Sequence, residues 1–155
     1  MIIGQAPGAV EFEAGTPFAG RSGIVLREWL RRAGIDDAHV PYRSAITKCF
    51  PGKNPRGSGD RRPSPAEIAL CAPWLEQELA LVQPRVLLLL GRLAIDRFWG
   101  RVPLEDAVGR VRRDAGRVLI PLPHPSGASR WLNDPANRAR LDRALRLLRR
   151  AAAEL

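Results

Sequence analysis

The sequence predicts an α/β fold, a three-layer sandwich in which a central four-stranded, mainly parallel sheet is flanked by helices. Three observations carry that expectation. Segments of strand length alternate four times with longer segments of helical period, the pattern of a parallel sheet covered on both faces. The third stretch, Val86-Leu87-Leu88-Leu89-Leu90, is apolar throughout, as a strand buried on both faces must be. Helix punctuation also falls where the periodic segments begin and end, with Ser64-Pro65, Asp134-Pro135 and Gly34 as start and stop signals.

The first strand is read at Met1–Ile3 and the first helix at Ser22–Ala33, where Ile24, Leu26, Trp29, Leu30 and Ala33 recur at helical spacing. A second strand follows at Arg43–Thr47. The helix Pro65–Leu81 has Ser64 as its N-cap, proline at the first helical position and Glu67 at the third. Strand Val86–Leu90 leads through Gly91 into a helix at Arg92–Trp99. Strand Arg117–Ile120 precedes the last helix, Pro135–Ala152, whose Leu141, Leu145 and Leu148 share one face. Two long irregular segments remain, Ala9–Arg21 and Phe50–Pro63, and loops of that length in a compact domain commonly carry function.

The 155 residues are expected to form a single domain spanning 1–155. Charge is the unusual part of the composition. Lys and Arg number 25 against 16 Asp and Glu, giving +9, and only Lys48 and Lys53 are lysines. A small domain this basic is drawn to polyanions, nucleic acid above all. No stretch approaches the ~18 apolar residues of a membrane span, and no basic leader precedes the first strand. Two cysteines do not make a disulfide framework. The expectation is a monomer in a prokaryotic cytoplasm, with nucleic acid as partner and no membrane association.

Two loops hold the chemistry. Gly4-Gln5-Ala6-Pro7-Gly8 follows the first strand, and Pro123-His124-Pro125-Ser126-Gly127-Ala128-Ser129-Arg130-Trp131 follows the last. In an open α/β sheet ligands bind beyond the carboxyl ends of the strands, so both loops can line one crevice. Glycines let backbone approach a ligand closely, and exposed N–H groups can support a developing anion. His124 is braced by prolines on both sides. Phe18, between Pro17 and a Gly-rich stretch, is placed either to stack on a flat heterocycle or to be buried as a hydrophobe. Trp131 is equally core or stacking platform, and His39, at a helix–strand junction, reads as structural.

These motifs resemble the uracil-DNA glycosylase superfamily, and its family 4 branch in particular. Gly4-Gln5-Ala6-Pro7-Gly8 followed by Gly15-Thr16-Pro17-Phe18-Ala19-Gly20 matches that branch's Gly-Glu-Ala/Gly-Pro-Gly and Gly-Arg-Pro-Phe-Val-Gly without a gap. The similarity continues through Tyr42–Cys49, Pro63–Pro84, the strand ending at Gly91 and the His124 loop. The resemblance implies hydrolysis of a base–sugar bond in an extruded nucleotide, leaving an abasic site. His124 would donate to a carbonyl of the leaving base, and Gln5 or Glu11 would orient the attacking water. Gln5, Ala6, Phe18, Ser44, Ala45 and His124 would surround the base. Ser126, Gly127, Ala128, Ser129 and Arg130, with Lys53 and Arg56 of the Phe50–Pro63 segment, would contact DNA. That segment reads either as a flexible phosphate-binding loop or as a plain solvated one.

The chain also departs from the family pattern. Relatives carry Asn on the second strand where Ala45 stands, so uracil is the family default and another deaminated base is an alternative. Gln5 replaces the usual Glu. No bulky wedge stands in the His124 loop; either Arg130 fills the gap left by the base, or the substrate is single-stranded or mismatched. Cys49 and Cys71 match two of the four thiolates that hold a [4Fe–4S] cluster in family 4. The other two ligands of relatives lie upstream of the first strand. Either the native start lies upstream of Met1, as the short first strand also suggests, or the site is empty; as written the chain supports no cluster. No lysine neighbours His124 in sequence, so a glycosylase without lyase activity is expected. The rival reading, motivated by Ala45 and Gln5, is a nucleic-acid-binding protein that keeps the base pocket without turnover.

Overall fold

A computed structural model of the protein describes residues 1–36, 41–126 and 130–154. The sheet has five strands, β1 (Ile2–Gly4), β2 (Arg43–Ala45), β3 (Val86–Leu90), β4 (Arg112–Asp114) and β5 (Arg117–Leu122), in the spatial order β2-β1-β3-β5-β4. β1 pairs in parallel with both β2 and β3, and β3 pairs in parallel with β5. The expected four-stranded parallel sheet is therefore present, extended by one antiparallel edge strand, β4. Sequence pattern missed β4 because its residues, Arg112-Arg113-Asp114, are all exposed and charged. Its signal lies in the turn: Ala115 and Gly116 both have positive φ (45° and 76°), the conformation that two-residue hairpin loops demand.

Period-two alternation sends the strands' side chains to two cores. Val86, Leu88 and Leu90 of β3 join Ile2, Val118, Ile120 and Leu122 on one face. There they pack beneath helices α2 (Arg21–Arg32) and α6 (Pro135–Ala153). Leu87 and Leu89 join Ile3 and Leu119 on the other face, under α3 (Pro65–Val82), α4 (Gly91–Phe98) and the single turn α5 (Leu104–Ala107). All five β3 residues are buried, and each such side chain contributes ~1.5–3 kcal/mol of transfer free energy. The β3 run therefore supplies side chains to both cores at once.

Helix boundaries follow the capping chemistry. Ser64 accepts from the Glu67 amide at 3.3 Å, and the Glu67 carboxylate accepts from the Ser64 amide at 2.7 Å, a reciprocal capping box. Asp134 accepts from the Ala136 amide at 2.7 Å to start α6. Gly34, at φ +77°, ends α2, with its own amide and that of Ile35 returning to Arg31 and Leu30. Within α2 the expected apolar face is corrected at one position. Leu26, Trp29, Leu30 and Ala33 are buried, but Ile24 is 62% exposed, because two residues along a helix is a turn of about 200° away from Leu26.

The segment read as an irregular loop, Ala9–Arg21, contains a helix, α1 (Ala9–Ala14). It buries no residue, so it left no apolar period to detect. His39 lies outside the described residues, as do Gly127, Ala128 and Ser129 of the last loop. Trp131, in a short 3₁₀ turn (Arg130–Asn133), packs against the core beneath α2 and α6.

Candidate active site

The strand order reverses about β1: the chain moves from β1 outward to β2, then crosses back to β3 on the other side. Beyond the carboxyl ends of these strands lies a cleft of about 700 Å³. Such a switch point is where open α/β sheets place ligands, because diverging connections leave a gap there. Gln5, Ala6, Glu11, Phe18, Ser44, Ala45, His124 and Ser126 all border this cleft. The two loops at opposite ends of the chain thus meet, brought together by β1 and β5 flanking β3.

The floor of the cleft continues the β1–β2 ladder. The Ile46 amide donates to the Gly4 carbonyl at 3.0 Å, and the Thr47 amide donates to the Gln5 carbonyl at 3.2 Å. These bonds tie the Gly4–Gly8 loop to the exit of β2. Phe18 packs over this floor at φ 57°, a left-handed conformation that is strained for a bulky residue. Gly23 admits it, and Gly4 lies against the ring. A Cβ on Gly23 would lie 1.8 Å from the Phe18 carbonyl oxygen, and one on Gly4 would lie 3.4 Å from the ring. Phe18 is half-buried and contacts the core, while its ring also borders the cleft.

Glu11 lies on α1 and clamps the glycine loops. One carboxylate oxygen accepts from the Gly8 amide at 3.1 Å, the other from the Gly20 amide at 3.0 Å. His124 stands on the opposite wall after β5. It keeps part of its surface open to solvent, while the protein around it still lowers its pKa below the ordinary 6.5 by desolvation. The negative charge of Glu11 acts in the raising direction and is the weaker influence. Above its depressed pKa the imidazole is neutral, able to donate one hydrogen bond without carrying charge. Gly91, at φ +78°, makes room for it: a Cβ there would sit 3.2 Å from both Cβ and Cδ2 of His124.

Sequence reasoning missed a polar cluster at the β2 exit. The Lys48 ammonium donates to the Ser44 hydroxyl at 2.6 Å and to the Ala45 carbonyl at 3.0 Å, and pairs with Glu78 of α3 at 2.6 Å. The Ser44 hydroxyl also donates to Glu78. These side chains border the cleft together. A lysine does stand in the cleft, therefore, although none neighbours His124 in sequence. Its ammonium is engaged by three acceptors. Thr47, also at the cleft and 2% exposed, has a hydroxyl without a hydrogen-bond partner. Lys48 and Glu78 lie 30 residues apart, so only tertiary packing reveals their pairing.

Other expected contacts fall elsewhere. Lys53 pairs with Asp60 at 3.1 Å, and Arg56 is exposed; neither borders the cleft, nor does Arg130. The Phe50–Pro63 segment, expected to be a loop, is bridged at Lys53 and Asp60 and closed by two backbone bonds, the Asn54 amide donating to the Gly59 carbonyl and the Arg61 amide to the Gly52 carbonyl. Asp60 further accepts from the Ala9 amide at 3.2 Å, pinning the segment to α1. Cys49 is exposed, and the half-buried Cys71 sulfur accepts from the Lys48 amide at 3.4 Å. Among the described residues no group of three or more His, Cys, Asp or Glu side chains could hold a metal. Two thiols do not satisfy a cubane cluster that needs four, so the residues present do not fit that group. No helix among the described residues is long and apolar enough to cross a membrane.

Comparison with known proteins agrees with this geometry. The family model described as Uracil DNA glycosylase superfamily matches residues 1–149. A type-4 uracil-DNA glycosylase of Thermotoga maritima is 33% identical over 131 residues, covering 81% of this chain and 64% of that protein. A type-4 uracil-DNA glycosylase of Pyrobaculum aerophilum is 38% identical over 94 residues, covering 61% and 44% respectively. A type-5 uracil-DNA glycosylase of Thermus thermophilus is 33% identical over 146 residues, covering 81% and 64%. The chain thus spans roughly half to two thirds of the length of these relatives. A family match across nearly all of its residues, on a fold that brings the glycine loop and the His124 loop to one cleft, gives the conclusion: this chain belongs to the uracil DNA glycosylase superfamily.

Proposed function

We propose that the protein is a monofunctional DNA glycosylase that hydrolyses the N-glycosidic bond of an extruded uracil, or a related deaminated base, and leaves an abasic site for base excision repair. The observation that carries this reading is the meeting of His124 with Gln5, Ala6, Glu11 and Phe18 around one cleft. Its volume, about 700 Å³, lies within the range of small-ligand sites. Phe18 stacks on the base. Neutral His124 donates to a base carbonyl as the bond breaks and its electron pair passes to the ring nitrogen. Water adds to the sugar carbon, oriented by Gln5 or Glu11, and its proton ends on the departed base. Removing one donor of the His124 kind costs ~10²–10³ in rate at comparable anion-stabilising sites.

The three bonds that occupy the Lys48 ammonium support hydrolysis rather than Schiff-base chemistry. Ser126, Gly127, Ala128, Ser129 and Arg130 are read as the DNA-contacting stretch. A single domain of residues 1–155, acting as a monomer on DNA in a prokaryotic cytoplasm, completes the proposal. Ala45 favours a second reading. Its methyl group cannot hydrogen-bond a base edge, which leaves room for a binding protein without turnover.

One assay separates the two. A uracil-containing oligonucleotide is incubated with the protein, treated with alkali and examined for strand scission. Scission that disappears in His124→Ala supports the glycosylase. Binding without scission by the unaltered protein overturns it.

A further inference from the structure

We propose that Phe12 and Phe50 form a stacking platform at the cleft mouth for the nucleobase next to the extruded nucleotide in a single DNA strand. The inference rests on the reading of the cleft as a site for an extruded DNA base.

The two rings border the cleft, with centroids 5.9 Å apart and planes inclined at 35°. They come from separate elements, Phe12 from α1 and Phe50 from the segment that follows β2. The bond between Asp60 and the Ala9 amide ties one element to the other. Phe12 is 69% exposed. α1 buries none of its residues, so this ring does not serve to fasten the helix to a core. An aromatic ring held in water beside a ligand cleft keeps an unused apolar face.

The chemistry of the occupant follows from what surrounds the rings. The Lys53 ammonium stands 5.9 Å from the Phe50 centroid, and its side chain is 67% exposed. Arg56, three residues along the same segment, is exposed. A flat π-face flanked by cations is the arrangement that holds single-stranded nucleic acid, with bases on rings and phosphates near ammonium and guanidinium groups. Base extrusion also creates the need. Removing one nucleotide from a stack uncovers a face on each neighbouring base, and a protein ring can cover one of them.

The test is a cycle that pairs a protein variant with a DNA variant. The probe is a fluorescently labelled single-stranded oligonucleotide whose target is 2′-fluoro-2′-deoxyuridine, which resists glycosidic cleavage, read by anisotropy. Phe12→Ala is expected to weaken binding about tenfold, the scale of losing one base–aromatic stack. Phe12→Trp is expected to restore it. With an abasic spacer replacing the base on one side of the target, unaltered protein and Phe12→Ala should bind alike. A Phe12→Ala loss that persists undiminished with spacers on either side overturns the proposal, as does an affinity unchanged by Phe12→Ala. The platform and the enzymatic reading fail separately: coupling to the spacer without uracil excision from the natural oligonucleotide sinks only the glycosylase, and excision without coupling sinks only the platform.

Discussion

Gly91 and His124 are in contact across the carboxyl ends of β3 and β5, so close that a single added methyl would press on the imidazole from 3.2 Å. The glycine that exits the most buried strand therefore sets where the histidine stands. Its φ of +78° is independently unfavourable for any residue with a Cβ.

Gly91→Ala is expected to cost ~1–2 kcal/mol of stability through the left-handed backbone alone. Displacing His124 should add a fall of ~10–100-fold in single-turnover excision. Thermal melting and excision rate, measured side by side, check both parts. A variant that melts lower but excises at the normal rate would show that the contact does not position the imidazole.

Titration of His124 has a definite sign. Desolvation lowers its folded-state pKa below the ordinary 6.5, so the unfolded chain binds its proton first as pH falls. The histidine's contribution to stability is whole above pH 6.5 and is lost as pH drops through the folded value. Urea denaturation of His124→Gln between pH 7.5 and about 5 should therefore show a shallower decline than the unaltered protein. Excision by a neutral donor should stay level from pH 6.5 upward; a rate that falls there with His124 deprotonation would assign the work to the imidazolium.

Glu11 has two separable tasks, clamping Gly8 and Gly20 and facing the cleft. Glu11→Ala leaves two amides without their acceptors and is expected to lose ~1–3 kcal/mol. Glu11→Gln keeps one carbonyl acceptor but no charge. It should melt closer to the unaltered protein while excision falls ~10²-fold, the scale of a misplaced attacking water. Full activity in Glu11→Gln would leave Glu11 as a clamp only and pass the water to Gln5.

At the foot of α3, Arg61 makes a bidentate pair with Glu67 at 2.5 and 2.8 Å. The Arg61 hydrogen bonds, then the Ser64 backbone and hydroxyl, hold the Glu67 carboxyl at a pKa of about 2 against an ordinary 4.5. Its stabilisation is complete above pH 4.5 and disappears as pH falls through about 2. Glu67→Gln should flatten the acid limb of the stability curve over that interval, read by chemical denaturation at several pH values. Ser64→Ala, which removes the reciprocal cap, is expected to cost ~1 kcal/mol at neutral pH.

Much of the fold was legible because its signals are local. The five apolar residues of β3, the caps at Ser64 and Asp134 and the stop at Gly34 each act within a few residues of their own position. The elements that escaped notice, α1 and β4, bury no side chains and so leave no periodic trace. Ile24 was misplaced for the opposite reason: an apolar residue fits the helical count loosely, and only packing shows which side faces the sheet. At the site, the loop motifs named Gln5, Phe18 and His124, whereas the Lys48, Ser44 and Glu78 cluster carries no motif because its members lie on different elements.

What the linear chain determined, then, was the strand–helix alternation, the capped ends and the two glycine- and proline-marked loops, all consequences of near-neighbour sterics and hydrogen bonding. What only the tertiary structure decided was the company those loops keep. Parallel pairing of β1 with β3 and of β3 with β5 carries residues more than a hundred positions apart to one end of the sheet. Strand order, set by burying both faces of β3 at once, is a property of the whole core and is written in no single segment.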